Sequence, residues 1–237
     1  MDAKVIAAII GLSGLFIGAV LNGVGFFLRE RYKRLRIKNQ TIFYLLKVLH
    51  TSLAIGNIDK MVQIYSNILK EHLSKKGYEN FNEEFFNHSC AQVVNSIISP
   101  ISQEVDEDFK RKFNESIFEL SSVKPVIAYD LGRTSYLDAL LQIATSILNN
   151  PDSFVAELNE EDKIGFEKGI KASQEHISQK LEKDLIKVLK RLSWSVGILN
   201  LISCRYAIFQ VRRKFSDRKI KVYLEKYFET DVEPLID

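Results

Sequence analysis

Histidine and cysteine, which often support acid–base, nucleophilic and metal chemistry, number only four and two in this 237-residue sequence, and they are scattered along it. Metal-binding residue types gather only at His88-Ser89-Cys90, which follows Glu83 and Glu84. Successive residues of a helix are rotated by about 100°, so His88 and Cys90 would lie about 200° apart and could not share a metal ion. We therefore expect a partly buried cysteine and a surface histidine here, and no metal site.

The other chemistry-bearing residues have a structural explanation. His50, His72 and His176 are isolated, and the sequence contains no phosphate-binding loop, nucleophile elbow, zinc-protease motif or Cys-x-x-Cys pair. The acidic runs 104–108 and 160–162 fall near predicted first turns of helices, where the helix dipole favours negative charge. The sequence thus predicts no catalytic residue, no cofactor-binding residue and no metal ligand, and we expect that the protein is not an enzyme. A cryptic enzyme that uses the scattered histidine and acidic residues is kept as a third hypothesis.

The elements that would position any site are organised around one apolar stretch, Val5–Leu28. Its 24 residues carry no formal charge, and as a helix they would extend about 36 Å, more than the roughly 30 Å of a bilayer's hydrocarbon core. A cleaved signal peptide instead has its basic residues before a shorter apolar core. Here the opposite charges of Asp2 and Lys4 cancel before the stretch, whereas six basic residues and one acidic residue follow it within ten positions. The sequence predicts a single transmembrane helix in the inner (plasma) membrane, with the N-terminus outside and residues 29–237 in the cytoplasm.

The basic residues after the apolar stretch are predicted to contact lipid headgroups, so membrane lipid is an expected partner. They are Arg29, Arg31, Lys33, Arg34, Arg36 and Lys38. Near an anionic cytoplasmic leaflet, each such residue gains about 1 kcal/mol.

One face of the apolar stretch carries small residues and one amide at helical spacing. Steps of three or four residues separate Ala7, Gly11, Gly14, Gly18, Asn22 and Gly25, which together form the glycine stripe. Small residues let two helix backbones approach closely in lipid, and Asn22 would find hydrogen-bond partners on the second helix. The glycine stripe predicts a homo-oligomer formed through the transmembrane helix. The alternative is that the glycines reflect only their general frequency in membrane helices.

Composition predicts a helical cytoplasmic domain that does not bind nucleic acid. Positions 1–38 hold seven of the 33 basic and two of the 30 acidic residues, so residues 39–237 have 26 basic and 28 acidic residues and a net charge of −2. The basic excess that attracts nucleic acid is missing from this part. Cys90 and Cys204 are far apart in the sequence and expected in a reducing compartment, so we expect no disulfide. Only four prolines and eleven glycines, five of them in the apolar stretch, favour helices over strands and turns.

Helical periodicity predicts several boundaries. The basic flank should continue the membrane helix as far as Gly56, because no glycine or proline intervenes. Ser99-Pro100 should end one helix and cap the next, and Lys124-Pro125 should end that second helix. The polar residues 129–134 are the best candidate for an exposed functional loop, with a plain connector as the alternative.

Towards the C-terminus, an apolar stripe follows the helical period for about 40 residues, as one long helix or as two with a bend near Gly197. Within it, the uncharged run Leu192–Cys204 has only 13 residues and contains several polar ones, which is too short to cross a bilayer. We expect a buried core helix there. The basic residues within 212–221 would contact headgroups if this helix returns to the membrane; otherwise they form a solvated helix face.

These observations predict an all-α protein in which one N-terminal transmembrane helix continues into a cytoplasmic multi-helix bundle. Its parts are a transmembrane anchor (1–28), a basic juxtamembrane segment with the first bundle helix (29–56), and the rest of the bundle with an acidic C-terminal tail (57–237). The leading functional hypothesis is a membrane-anchored interaction or scaffold protein with a cytoplasmic protein partner. The alternative is a membrane-perturbing effector or toxin whose oligomerised spans disrupt the bilayer.

Overall fold

The computed structural model describes residues 3–77, 83–133 and 179–232, and within these ranges every regular element is a helix. The helices are α1 (Ala3–Gly56), α2 (Ile58–Lys75), α3 (Glu83–Gln103), α4 (Glu107–Ser121), α5 (Pro125–Arg133), α6 (179–196), α7 (Ile198–Lys214) and α8 (Asp217–Tyr227), which a π-helical turn (Phe228–Val232) follows. The predicted all-α fold with a long apolar N-terminal helix is confirmed. His176 and the acidic run 160–162 lie outside the described residues.

Helix α1 has two halves with different surroundings. From Gly11 to Arg29 every side chain is exposed. In the second half the apolar residues follow one stripe, and Thr41, Leu45 and Leu49 are fully buried. Apolar residues on all sides of a helix are typical of a membrane span, whereas a single stripe is typical of a helix packed on others. The basic flank joins the halves without a break, and α1 ends at Gly56 as predicted.

The bundle has two hydrophobic cores along the second half of α1. The span-end core, nearer the apolar half, combines α1 with α4, α5, α6 and α7. Its buried residues include Leu45, Leu49, Phe113, Leu120, Leu131, Leu185, Leu189, Leu192 and Ile208. The far-end core forms where α1 ends and combines it with α2, α3 and α8. Its buried residues include Ala54, Met61, Tyr65, Phe86, Cys90, Val94, Ile220 and Leu224. The two ends of the bundle are named the span end and the far end accordingly.

Helix α4 runs antiparallel to α1, towards the span end. Glu104, just before α4, pairs with Lys47 at 3.3 Å between Oε2 and Nζ. Further along α4, the carbonyl oxygen of Ser116 lies 3.5 Å from the hydroxyl oxygen of Thr41, which donates to it. Residue numbers therefore rise along α4 as they fall along α1. The end of α4 and the start of α5 consequently lie at the span end.

Helices α6 and α7 form a tight antiparallel hairpin at Gly197. The φ angle of Gly197 is +150°, which glycine adopts without the steric cost that other residues would meet. On either side of the turn, Arg212 pairs with Glu182 at 2.6 Å, and the thiol of Cys204 lies 4.0 Å from the carbonyl oxygen of Leu189. The prediction of two helices with a bend near Gly197 therefore holds, and that of one long helix does not. At the bend the chain reverses its direction completely.

The predicted helix boundary at Ser99-Pro100 is wrong. Helix α3 continues through Pro100, which is exposed in its last turn. A proline there removes one backbone hydrogen bond, while Ile98 and Ile101 pack in or against the far-end core and hold the turn helical. The next helix is instead capped by Asp106, whose carboxylate accepts a hydrogen bond from the backbone N–H of Phe109 at 2.7 Å.

The predicted functional loop at 129–134 is also wrong for the residues that the structure describes, because residues 129–133 belong to α5. The proline at its first position suits a helix start, where the missing N–H costs no hydrogen bond. Ile127, Ala128 and Leu131 are buried in the span-end core and give the segment a helical apolar face. The break predicted at Lys124-Pro125 is confirmed, since α4 ends at Ser121.

Candidate membrane-interaction surface

The surface begins with the apolar half of α1. This helix lies near the N-terminus and is long and apolar enough to cross a membrane. Among the described residues, no other helix has that length and apolar character. Its apolar stretch would measure about 36 Å, which leaves room for some tilt across a core of about 30 Å.

Five of the six predicted headgroup-contacting residues are exposed on α1 directly after the apolar stretch. These are Arg29, Arg31, Lys33, Arg34 and Arg36. Arg34 also pairs with Glu30 one turn earlier, at 3.0 Å. The five side chains form a positively charged collar at the junction between the bare half of α1 and the bundle.

Lys38, the sixth, is turned towards the bundle. Its ammonium group donates a hydrogen bond to the carbonyl oxygen of Ser195 at 2.9 Å. Ser195 is in the last turn of α6, where carbonyl groups lack a partner within their own helix. Burial lowers the pKa of Lys38, and the charges of Lys124 and Arg34 lower it further. Lys38 thus links the hairpin to α1 by a hydrogen bond, close to the positive charges of Lys124 and Arg34.

The described glycines of the glycine stripe have no neighbour within their own chain. A side chain added at Gly11, Gly14, Gly18 or Gly25 would meet no atom within 4 Å. Asn22 on the same stripe is exposed, and Ala7 belongs to α1 one turn before Gly11. The stripe is therefore a free face of α1, and packing within the described part of the chain does not require small residues there.

Helix α7 has apolar residues on two opposite faces. One face contributes Cys204 and Ile208 to the span-end core. The other face is exposed along about three turns of helix, and its large apolar residues are Ile198, Leu199, Ile202, Tyr206 and Phe209. Trp194, in the last turn of α6, is exposed beside them. The expectation of a buried core helix at 192–204 is thus wrong, because α1 and α6 cover only one side of α7.

A cavity of about 480 Å³ opens beside Trp194, between α5, α6 and α7. Four cationic side chains line it, together with Ile127, Trp194, Ser195 and Leu201; the cations are Lys124, Lys190, Arg191 and Arg205. Of these, Arg191 pairs with Asp130 at 3.2 Å. Among the residues that the structure describes, no carboxylate lines the cavity itself. Such a site suits an anion with an apolar portion.

Within the described ranges, the histidine and cysteine side chains do not form a cluster. Cys90 is buried and His88 is exposed, as predicted. Cys90 and Cys204 are free thiols in different cores, and burial raises the pKa of each, which keeps them protonated and unreactive. His50 packs against Phe215, with 5.4 Å between the ring centroids. Among the described residues, no group of three or more His, Cys, Asp and Glu side chains is placed to hold a metal ion.

The basic residues within 212–221 lie towards the far end, so the solvated-face interpretation fits the structure. Phe215 packs on His50, near the end of α1, and Lys60 pairs with Asp217. Lys221 has a carboxylate partner of its own, Glu225, at 3.6 Å.

Two features of this surface escaped the sequence analysis. The prediction of one core for all apolar residues of α7 leaves no exposed face; the available signal is that apolar residues occur on both sides of the helix, which one core face does not explain. The cation-lined cavity has no local signal, because Lys124, Lys190 and Arg205 come from three separate parts of the chain.

Comparison with known proteins leaves the function to be argued from the chain itself. No protein-family model matches this sequence, and no curated protein and no solved structure is significantly similar to it.

Proposed function

We propose that this protein is a single-pass membrane protein that holds a helical interaction domain at the cytoplasmic face of the inner (plasma) membrane, with its N-terminus outside. The observation that carries the proposal is the continuity of α1. One helix of 54 residues is apolar and exposed from Gly11 to Leu28 and contributes to both cores in its second half. The exposed cations at the junction support the orientation, because basic flanks stay on the cytoplasmic side.

The continuity of α1 makes the protein suited to positioning a partner. Between Gly25 and Gly56 the helix contains neither glycine nor proline, so no kink is expected to separate the span from the bundle. A tilt or rotation of the span would therefore move both cores with it. We propose a scaffold role without catalytic activity, and turnover of nucleotides, lipids or RNA by the purified chain would overturn it.

The glycine stripe supports self-association as part of this function. Its exposed position leaves it available to a second α1 in the membrane, where close backbone packing and hydrogen bonds of Asn22 would stabilise the pair. A scaffold that presents two or more bundles side by side binds a multivalent partner more tightly than a single bundle does.

Replacement of Gly14 and Gly18 together with leucine tests this association. Both positions are open in the single chain, so insertion and the bundle should be unaffected while two helix backbones are held apart. We expect energy transfer between labelled full-length chains in reconstituted membranes to be lost.

Gly23→Leu is the matched control. Gly23 is equally open, but it lies five residues after Gly18 and so about 140° away from the stripe. It should associate like the parent chain. If the Gly14/Gly18 double variant also associates like the parent, the span is an anchor only.

A second candidate function is a membrane-perturbing effector, favoured by Asn22 within an otherwise apolar span. Amides of several associated helices would together line a polar defect in the bilayer. Expression of the full chain with a dye that reports membrane potential separates the two functions. Depolarisation that Asn22→Leu abolishes would support the effector, and an inserted chain that leaves the potential unchanged would exclude it.

A further inference from the structure

The span end of the bundle carries a second surface that fits a membrane. We infer that the tip of the α6–α7 hairpin and the cation-lined cavity beside it rest on the same leaflet as the basic collar and bind the phosphates of anionic lipid headgroups. This inference rests on the proposed anchoring by α1 and adds a specific lipid contact to it.

The hairpin tip is close to the level of the basic collar. Lys38 on α1 holds Ser195, just before the turn. At the other end of α7, Phe215 contacts His50. Helix α7 therefore runs beside α1 and in the same direction. At 1.5 Å per residue, the 17 residues from Ile198 to Phe215 lead from the level of His50 back along α1, which places the tip roughly 8–10 Å from the end of the apolar stretch.

An ordinary tilt of α1 closes this gap. The headgroup layer extends about 5–8 Å beyond the hydrocarbon core on each side, and packed helix axes lie about 8–10 Å apart. Transmembrane helices tilt by about 20° on average, and an apolar stretch longer than the core tilts to fit. A tilt of about 20–30° towards the hairpin moves a point 10 Å to that side about 3–5 Å closer to the membrane, which brings the tip to the headgroups.

The residues at the tip are those that an interface favours. Trp194, Ile198 and Leu199 are 65%, 66% and 81% exposed, and they flank the turn at Gly197. A tryptophan at the boundary between apolar and polar regions is typical of membrane interfaces. A contiguous apolar patch of this kind is unfavourable in water and marks a contact surface.

The cavity supplies the charge that a lipid phosphate requires. Its four cations and the Asp130 carboxylate that pairs with Arg191 sum to +3. Ile127 and Leu201 place the first turns of α5 and α7 at its wall, and the dipole at a helix N-terminus favours an anion. The apolar tip and the cationic cavity therefore match the acyl and phosphate portions of one lipid, which favours a membrane over a soluble anion.

Trp194 provides a direct test, because it is the only tryptophan of the chain. The full-length protein is reconstituted into vesicles of phosphatidylcholine alone or with phosphatidylglycerol. We expect anionic vesicles to shift the Trp194 emission to shorter wavelength, and to make it sensitive to lipids brominated near the headgroup and less sensitive to acrylamide in solution.

Charge variants keep the probe in place. Lys190→Gln with Arg205→Gln should shift the equilibrium between the lipid-bound and the free tip by at least about an order of magnitude, since each surface cation contributes about fivefold or more. The matched control changes two exposed far-end cations, Arg218→Gln with Lys219→Gln, and should behave as the parent. Equal effects of the two pairs would overturn the inference.

Other occupants of the tip give different results. If residues 134–178 of the same chain or a second copy cover Trp194, the emission is already shifted in detergent or depends on the protein-to-lipid ratio, and brominated lipids do not quench it. If inorganic phosphate alone reproduces the shift in phosphatidylcholine vesicles, the cavity binds free phosphate. Each of these results overturns the lipid contact.

Insertion of α1 is measured separately in the same vesicles by extraction at alkaline pH. A chain that is extracted contradicts the proposed membrane anchoring. A chain that resists extraction, but whose Trp194 stays accessible to acrylamide in anionic vesicles, contradicts only the inference about the hairpin tip.

Discussion

The two halves of α1 contain similar apolar residues and meet different surroundings. Leu15 and Leu21 in the first half are largely exposed, whereas Leu45 and Leu49 in the second half are completely buried. The halves differ in where their polar residues lie, since the first has almost none on any side and the second has them opposite one apolar stripe. The distribution of polar residues around a helix, more than its apolar content, thus indicates whether it packs against other helices of the chain or stays exposed.

Helix α7 is a third case and differs from both halves of α1. It has an apolar face in the span-end core and a second one that is exposed. Two apolar faces on one helix indicate two different neighbours. The span-end core supplies the first, and the hairpin's position beside the basic collar favours a membrane as the second.

The largest expected effect is on the first half of α1. Leu15→Arg with Ile17→Arg places two charges near the middle of the apolar stretch, and each costs about 2.5–3.5 kcal/mol at the centre of a membrane helix. We expect the double variant to leave the membrane fraction after washing at alkaline pH, as measured by quantitative immunoblotting.

Phe43→Arg is the control for this variant. Phe43 lies in the same helix and is 60% exposed, comparable to the 57% of Ile17, but it lies beyond the apolar stretch. The control should stay in the membrane fraction. If both variants stay there, the first half of α1 does not span a bilayer and the proposed anchoring is wrong.

The second expected effect falls on the second half of α1. Leu49→Ala removes a completely buried side chain from the span-end core, and such substitutions cost about 2–5 kcal/mol of folding free energy. Leu21→Ala removes the same atoms from the exposed half and should change the unfolding of the bundle by less than about 0.5 kcal/mol. Denaturant unfolding of the full chain in detergent, followed by helical circular dichroism, measures both. Equal losses would mean that the two halves do not differ as the structure indicates.

The features that sequence could predict are those determined locally. The continuity of α1 to Gly56 follows from an uninterrupted run without glycine or proline, and the break before Pro125 follows from the steric limits of that residue. The burial of Cys90 beside an exposed His88 follows from helical periodicity alone.

The features that sequence could not predict depend on contacts between distant segments. Helix α3 continues through Pro100 because Ile98 and Ile101 have a core to pack on, which outweighs the local preference of proline. The reversal at Gly197 and the convergence of Lys124, Lys190 and Arg205 likewise depend on how α5, α6 and α7 are placed together. Of the candidate surface, the span, the collar and the stripe were therefore predictable, whereas the hairpin tip and its cavity were not.

The smallest expected effect concerns His50, in the second half of α1. Burial lowers the pKa of His50, Lys214 lowers it further, and Glu104 opposes them by raising it. A histidine with a lowered pKa in the folded state binds protons more readily when the chain unfolds. Its contribution to stability is therefore present at pH values above the pKa of histidine in the unfolded chain, about 6.5, and is lost as the pH falls below that pKa. Thermal unfolding of the full chain in detergent between pH 7.5 and pH 5.5 should therefore show a smaller loss of stability in His50→Gln than in the parent, while the exposed-site control His88→Gln should follow the parent. If His50→Gln loses as much stability as the parent over this range, the ring of His50 is as well hydrated as one in an unfolded chain, and its packing against Phe215 does not separate it from water.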